Sequence, residues 1–110
     1  MPARHPTYVK LFARRLNAAR QSAGLTQEAL GVAAGLDEFV ASSRMNHYER
    51  AKHWPDYGFA CRLAEVLNVP VAYFYAFKDE EAELLLAFHR AKKSIQEKWL
   101  AMAKNQTLME

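Results

Sequence analysis

Between Gly35 and Pro55, the stretch GLDEFVASSRMNHYERAKHWP places Ser42, Ser43, Arg44, Asn46 and His47 within six consecutive positions. Their side chains offer hydroxyls, an amide, an imidazole and the rigid fork of a guanidinium, all able to hydrogen-bond. Such a set suits recognition of a polar surface better than catalysis. No Gly-rich phosphate loop or paired-carboxylate arrangement accompanies it. His5, His47, His53 and His89 lack the i, i+4 spacing of a metal site, and the one cysteine, Cys61, supplies no zinc set. No enzyme, cofactor or metal centre is expected, and Cys61 reads as a small core or boundary residue.

The elements that carry these residues follow from apolar periodicity and caps. Val9, Phe12, Leu16, Ala19 and Ala23 share one stripe of a first helix, with Arg14, Arg15, Asn17 and Gln21 mostly off it, and Gly24 ends it. Thr26 caps a short second helix over Gln27 to Ala34, closed by Gly35. Asp56, after Pro55, caps another helix with Ala60, Leu63, Ala64 and Leu67 inward and Asn68 at its left-handed stop. Pro70 starts a short helical turn through Tyr75, and Tyr73, Phe74, Tyr75 and Phe77 are expected in the core.

A last helix, roughly Asp79 to Ala103, has acids at its start and bases towards its end, as the macrodipole favours. Leu84, Phe88, Ala91, Ile95, Trp99 and Met102 recur along it at spacings of 4, 3, 4, 4 and 3, one apolar seam. The seam folds back on its own domain, packs against a second subunit, or binds a membrane surface or another protein. The expected architecture is all-α: five helices over residues 8–76, then one long C-terminal helix over 79–104.

The 110 residues are enough for one domain with a single core, and 51% hydrophobic with 25% charged is the composition of a globular chain. A lone cysteine fits a reducing compartment, and no apolar run reaches the roughly 18 residues of a membrane span. With no signal-peptide pattern in MPARHPTYVKLF, the expected location is the cytoplasm. The net charge of +3 is uneven: the first 20 residues hold five bases and no acid, which suits a polyanionic partner.

Gln27, then the small Gly31 four residues on, then Gly35 four after that, have the spacing of a helix-turn-helix: the small residue permits close approach and the glycine makes the turn. With its flanks, this segment resembles the DNA-binding domains of the phage repressor and Cro (XRE-type) family over about residues 8–75. The matching pieces are Arg15-Leu16, Arg20, Gly24-Leu25-Thr26-Gln27, Tyr48-Glu49-Arg50, Pro55, Leu63-Ala64, Leu67, Val69 and Phe74. The resemblance implies a lambda-repressor-like fold whose third helix enters the major groove. It makes Ser42, Ser43, Arg44, Asn46 and His47 the base-contacting candidates, with Met45 and Tyr48 facing inward. Arg44 suits guanine N7 and O6, and Asn46 or His47 a neighbouring purine. Gln27, Arg15, Arg50, Lys52 and His53 become phosphate candidates, and Arg20 with Glu49 an internal ion pair.

One departure from the family pattern concerns the recognition helix. Gly35 precedes Glu49 by fourteen residues, about one helical turn more than the family's usual separation. Either the helix starts a turn earlier, at Glu38 with Asp37 as cap, or DEFVA is an enlarged turn and the helix starts near Ser42. The adjacent serines, poor in a helix interior, favour the second reading, with Phe39 and Val40 anchoring the turn to the core. The resemblance implies a homodimeric regulator, most simply a repressor, on an inverted repeat in double-stranded DNA. The alternatives are an antitoxin whose last helix binds a toxin, and a protein-binding adaptor that kept the fold.

Overall fold

Three oxygen caps and four left-handed stops, the fourth being Ala51 after α3, set the helix boundaries. Thr26 Oγ1 accepts from the Ala29 N–H at 3.0 Å, Asp37 Oδ2 from Phe39 at 2.9 Å, and Asp56 Oδ1 from Phe59 at 2.8 Å. Each such cap contributes about 1 kcal/mol by satisfying an otherwise orphaned donor. Gly24 (φ 71°), Gly35 (φ 110°) and Asn68 (φ 55°) then turn the chain out of a helix. The computed structural model describes residues 6–109, with side chains from 9 to 106, so Arg4 and His5 lie outside the described residues.

The order is α1 (Pro6–Ser22), α2 (Gln27–Ala33), α3 (Glu38–Glu49), α4 (Tyr57–Leu67), a 3-10 turn (Val71–Tyr75), α5 (Asp79–Arg90) and α6 (Lys93–Met109). The described residues hold no strand, and the fold is all-α. Leu16, Leu30, Met45, Leu63 and Phe74 are fully buried, one from each of the first five elements. The core is therefore the common meeting point of α1 to α4 and the 3-10 turn.

Three arginines tie helix ends to this body. Arg62 Nε donates to the Ala34 carbonyl at 2.9 Å, at the end of α2, and Arg90 Nε to the Asn68 carbonyl at 2.9 Å, at the end of α4. Arg15 donates to the Ala76 carbonyl at 2.7 and 3.2 Å and to Asp79 at 2.9 Å. A cation at a helix C-terminus satisfies orphan carbonyls and opposes the macrodipole. Arg15, expected at a phosphate, is instead 7% exposed with its guanidinium engaged internally. Part of the basic charge of the N-terminal half serves the architecture.

The recognition helix also differs from the favoured expectation. It begins at Glu38, with Asp37 as its cap, so DEFVA is helix and not an enlarged turn. Ser42 and Ser43 sit in its interior on exposed positions, at a propensity cost of only a few tenths of a kcal/mol each. Phe39 does not anchor anything to the core, being 89% exposed, and Val40 is 39% exposed. Tyr75 and Phe77 likewise lie largely outside the core that Tyr73 and Phe74 enter.

The long C-terminal helix is two helices. The chain leaves helical geometry at Ala91 (ψ 154°) and restarts at Lys93. A continuous 25-residue helix would run about 37 Å. The break lets α6 turn back instead, bringing Trp99 to 6.4 Å from Phe88 between ring centroids, while the Gln96 side-chain amide donates to the Phe88 carbonyl. The seam of Leu84, Phe88, Ala91, Ile95, Trp99 and Met102 is therefore divided between the two arms of a hairpin.

Candidate nucleic-acid interface

Close approach of α2 and α3 requires the glycine between them. A Cβ on Gly31 would stand 2.9 Å from the Ala41 Cβ and 3.0 Å from the Met45 Cγ. Gly35, at φ 110°, provides the turn that an L side chain would strain. Ala41, Met45 and Tyr48, at spacings of four and three, bury the inner face of α3.

Its angle is fixed from the other end by Glu49. Arg20 holds that carboxylate bidentately, Nε to Oε2 at 2.6 Å and Nη2 to Oε1 at 3.1 Å. Asn17 Nδ2 (2.8 Å) and Gln27 Nε2 (3.1 Å) also donate to Oε1. Arg20 Nη1 reaches the Leu25 carbonyl at 2.8 Å, so one cluster joins α1, the α1–α2 loop, α2 and α3. The Glu49 side chain is only 4% exposed. Burial pushes its carboxyl up, but hydrogen bonds from Arg20, Asn17 and Gln27, with the Arg20 charge, outweigh burial and hold it below the usual glutamate value. The Glu49 bond raises the Arg20 pKa in turn, against the opposing effect of its burial.

The family resemblance implied the Arg20–Glu49 pair but not Asn17, which lies one turn before Arg20 on α1. Gln27 occupies a different place from the one expected of a phosphate ligand. Its amide nitrogen turns inward to Glu49 and, at 3.4 Å, to the Asn46 side-chain oxygen, so it positions α3.

The outer face of α3 is what this scaffold presents. At 100° per residue, Phe39, Ser43, Asn46 and Arg50 form a stripe at spacings of 4, 3 and 4, opposite the buried one. Ser42 flanks it on one side, and Val40, Arg44 and His47 on the other. Ser42, Ser43 and Arg44 are exposed, Asn46 and His47 half-buried. The Arg44 side chain has no partner among the described residues, which leaves its donors for a ligand.

Beyond α3, Ala51 takes a left-handed conformation (φ 61°), and the Lys52 N–H returns to the His47 carbonyl at 2.9 Å. This turn brings His53 to 5.3 Å from His47 between ring centroids and leaves Arg50, Lys52 and His53 exposed beside the helix end. The arrangement is therefore a polar, cationic rim around a row of hydrogen-bonding side chains on one rigid helix. Phe39 is the member that sequence reasoning misplaced; its four-residue spacing to Ser43 was the available signal, given the correct helix start.

Among the described residues, no group of acids, histidines and cysteine is placed to hold a metal ion, and no helix is long and apolar enough to cross a membrane. A comparison with curated proteins gives no significant match. Among solved structures, the crystal structure of transcriptional regulator BswR is similar, with 42% identity and a TM-score of 0.80 over 84% of this chain and 92% of that one. The family described as "Helix-turn-helix domain" matches residues 11–73, the segment from α1 through the 3-10 turn that frames α2 and α3. This chain belongs to the helix-turn-helix domain family.

Proposed function

We propose that this protein is a sequence-specific regulator of transcription that binds double-stranded DNA as a homodimer, in the manner of the phage repressor and Cro (XRE-type) proteins. The observation that carries this reading is the outer face of α3, a row of hydrogen-bonding side chains on a helix locked at both ends. An α-helix fits the major groove, where base edges differ in donors, acceptors and methyl groups. Ser42, Ser43, Arg44, Asn46 and His47 read bases there, with Arg44 on a guanine, while Arg50, Lys52 and His53 meet phosphates.

Dimerisation supplies the second half-site, with recognition helices about 34 Å apart on one face of the duplex. The α5–α6 hairpin is the surface assigned to it. Leu84, Leu100 and Met102 are at least half exposed there, beside a groove of about 830 Å³ lined in part by Tyr57, Tyr75, Phe88 and Trp99. A cytoplasmic repressor that occludes a promoter is the simplest activity of such a dimer. A toxin seated on the same hairpin, as in an antitoxin, is the competing reading, and monomeric protein in solution would favour it.

Selection of bound duplexes from a random pool near about 150 mM salt tests the proposal, because salt sets the non-specific background. An enriched inverted repeat with half-sites about ten base pairs apart is the expected result. A pool with no enriched motif would overturn it.

A further inference from the structure

Phe39 occupies the second position of α3 and is 89% exposed, the most exposed large apolar side chain among the described residues. It is not part of the α5–α6 surface, and no ring contact holds it to the body of the protein. Ser43 lies one turn further along the same stripe, followed by Asn46. The residue at the entering end of a groove-reading helix is therefore a phenyl ring in a row of polar groups.

We infer that Phe39 is a base-reading residue whose ligand is the C5-methyl group of a thymine in the major groove. This rests on the DNA-reading function proposed above and adds a residue and a base preference to it. Among the four bases only thymine presents a methyl group on the major-groove edge, and a side chain without donors or acceptors makes no hydrogen bond to the polar edges of the others. Phe39 precedes the polar readers by one turn, so its thymine lies beside, not within, the bases read by Ser43 and Asn46. Because Asp37 caps the helix through the Phe39 N–H, the backbone that carries the ring is fixed before DNA arrives.

The test uses the duplex recovered from the random pool, with each thymine replaced in turn by deoxyuridine, which removes only the methyl group. For the unaltered protein, one thymine per half-site should lose about fourfold in affinity, the equivalent of about 0.8 kcal/mol for one methyl removed from water-excluded contact. Phe39→Ala should bind the thymine and uracil duplexes equally, and Phe39→Leu should keep part of the discrimination. Both variants should melt with the parent, since the side chain touches no core. Identical deoxyuridine profiles for the parent and Phe39→Ala would overturn the inference while leaving the DNA-reading function standing. Absence of any enriched duplex would instead remove that function, and this reading with it.

Discussion

The body from α1 through the 3-10 turn and the α5–α6 hairpin solve the burial of apolar side chains in opposite ways. In the body, every element sends at least one large residue to the core, and the ionic groups it buries, Arg15 and Glu49, have partners. From Glu83 to Gln106 no residue is buried, although the segment carries Leu84, Leu85, Leu86, Phe88, Ile95, Trp99, Leu100 and Met102. A sequence so rich in apolar residues, left that open, matches a surface that acquires its core from another chain. The hairpin reaches the body's core only near its start, through buried Ala82 and half-buried Leu85 and Leu86, and the rest of its apolar seam lies open.

The largest way to disturb that contrast is to break the body's ion pair. Arg20→Ala strands a carboxylate whose side chain is 4% exposed, and should cost about 3 kcal/mol of unfolding free energy in urea titration. Adding Glu49→Gln should recover part of the loss, because the stranded charge is gone; strictly additive losses would break the assignment. The same pair gives a pH dependence with a definite sign. The Glu49 carboxyl titrates below the ordinary value of 4.5, so its contribution is present above that pH and lost as pH falls through the lower folded value. The melting temperature of Glu49→Gln should therefore fall less steeply below about pH 4.5 than that of the parent.

The body was largely legible in the sequence because local signals and burial agree there. Thr26, Asp56 and Asn68 cap and stop helices where their types favour it, and Leu63, Ala64 and Leu67 are buried as their spacing requires. Three places were not legible. Asp37 and Ser42 are both competent caps, and local chemistry cannot choose between them when Ala41 must also reach the Gly31 gap. Arg15 looked like a surface base because its partners, Ala76 and Asp79, lie more than sixty residues away. The hairpin break at Ala91 has no glycine or proline to mark it, and the seam reads as continuous through it. Of the candidate site, the polar readers were visible by type, whereas Phe39 needed the helix start to be placed.

Gly31→Ala probes the seat of the recognition helix. Its Cβ meets Ala41 and Met45 at distances that force α2 and α3 apart, so a loss of about 2 kcal/mol in stability is expected, together with weaker DNA binding. Unchanged stability would mean that the α2–α3 seat is looser than its geometry. Arg44→Ala leaves the seat alone and should lose about 1–3 kcal/mol of discrimination at one base pair. Lys52→Ala should instead weaken binding to all duplexes and lower the salt slope by about 1. Equal losses for Arg44→Ala on selected and random DNA would reject it as a base reader.

A small expected effect on stability separates the two regions most directly. Trp99 is 37% exposed, touches Phe88 across the hairpin and contributes nothing to the core cluster of the body. Trp99→Ala should therefore change the unfolding free energy of the isolated protomer by less than about 1 kcal/mol, within the range of ordinary surface substitutions. Its consequence should appear in sedimentation, as dissociation of the dimer at concentrations where the parent remains paired, and in a lost preference for two half-sites over one. If Trp99→Ala lowers the protomer's stability as much as Gly31→Ala does, the hairpin is part of the body's own fold, and the contrast between the regions disappears. If neither stability nor sedimentation changes, the proposed dimer does not use the groove beside Trp99.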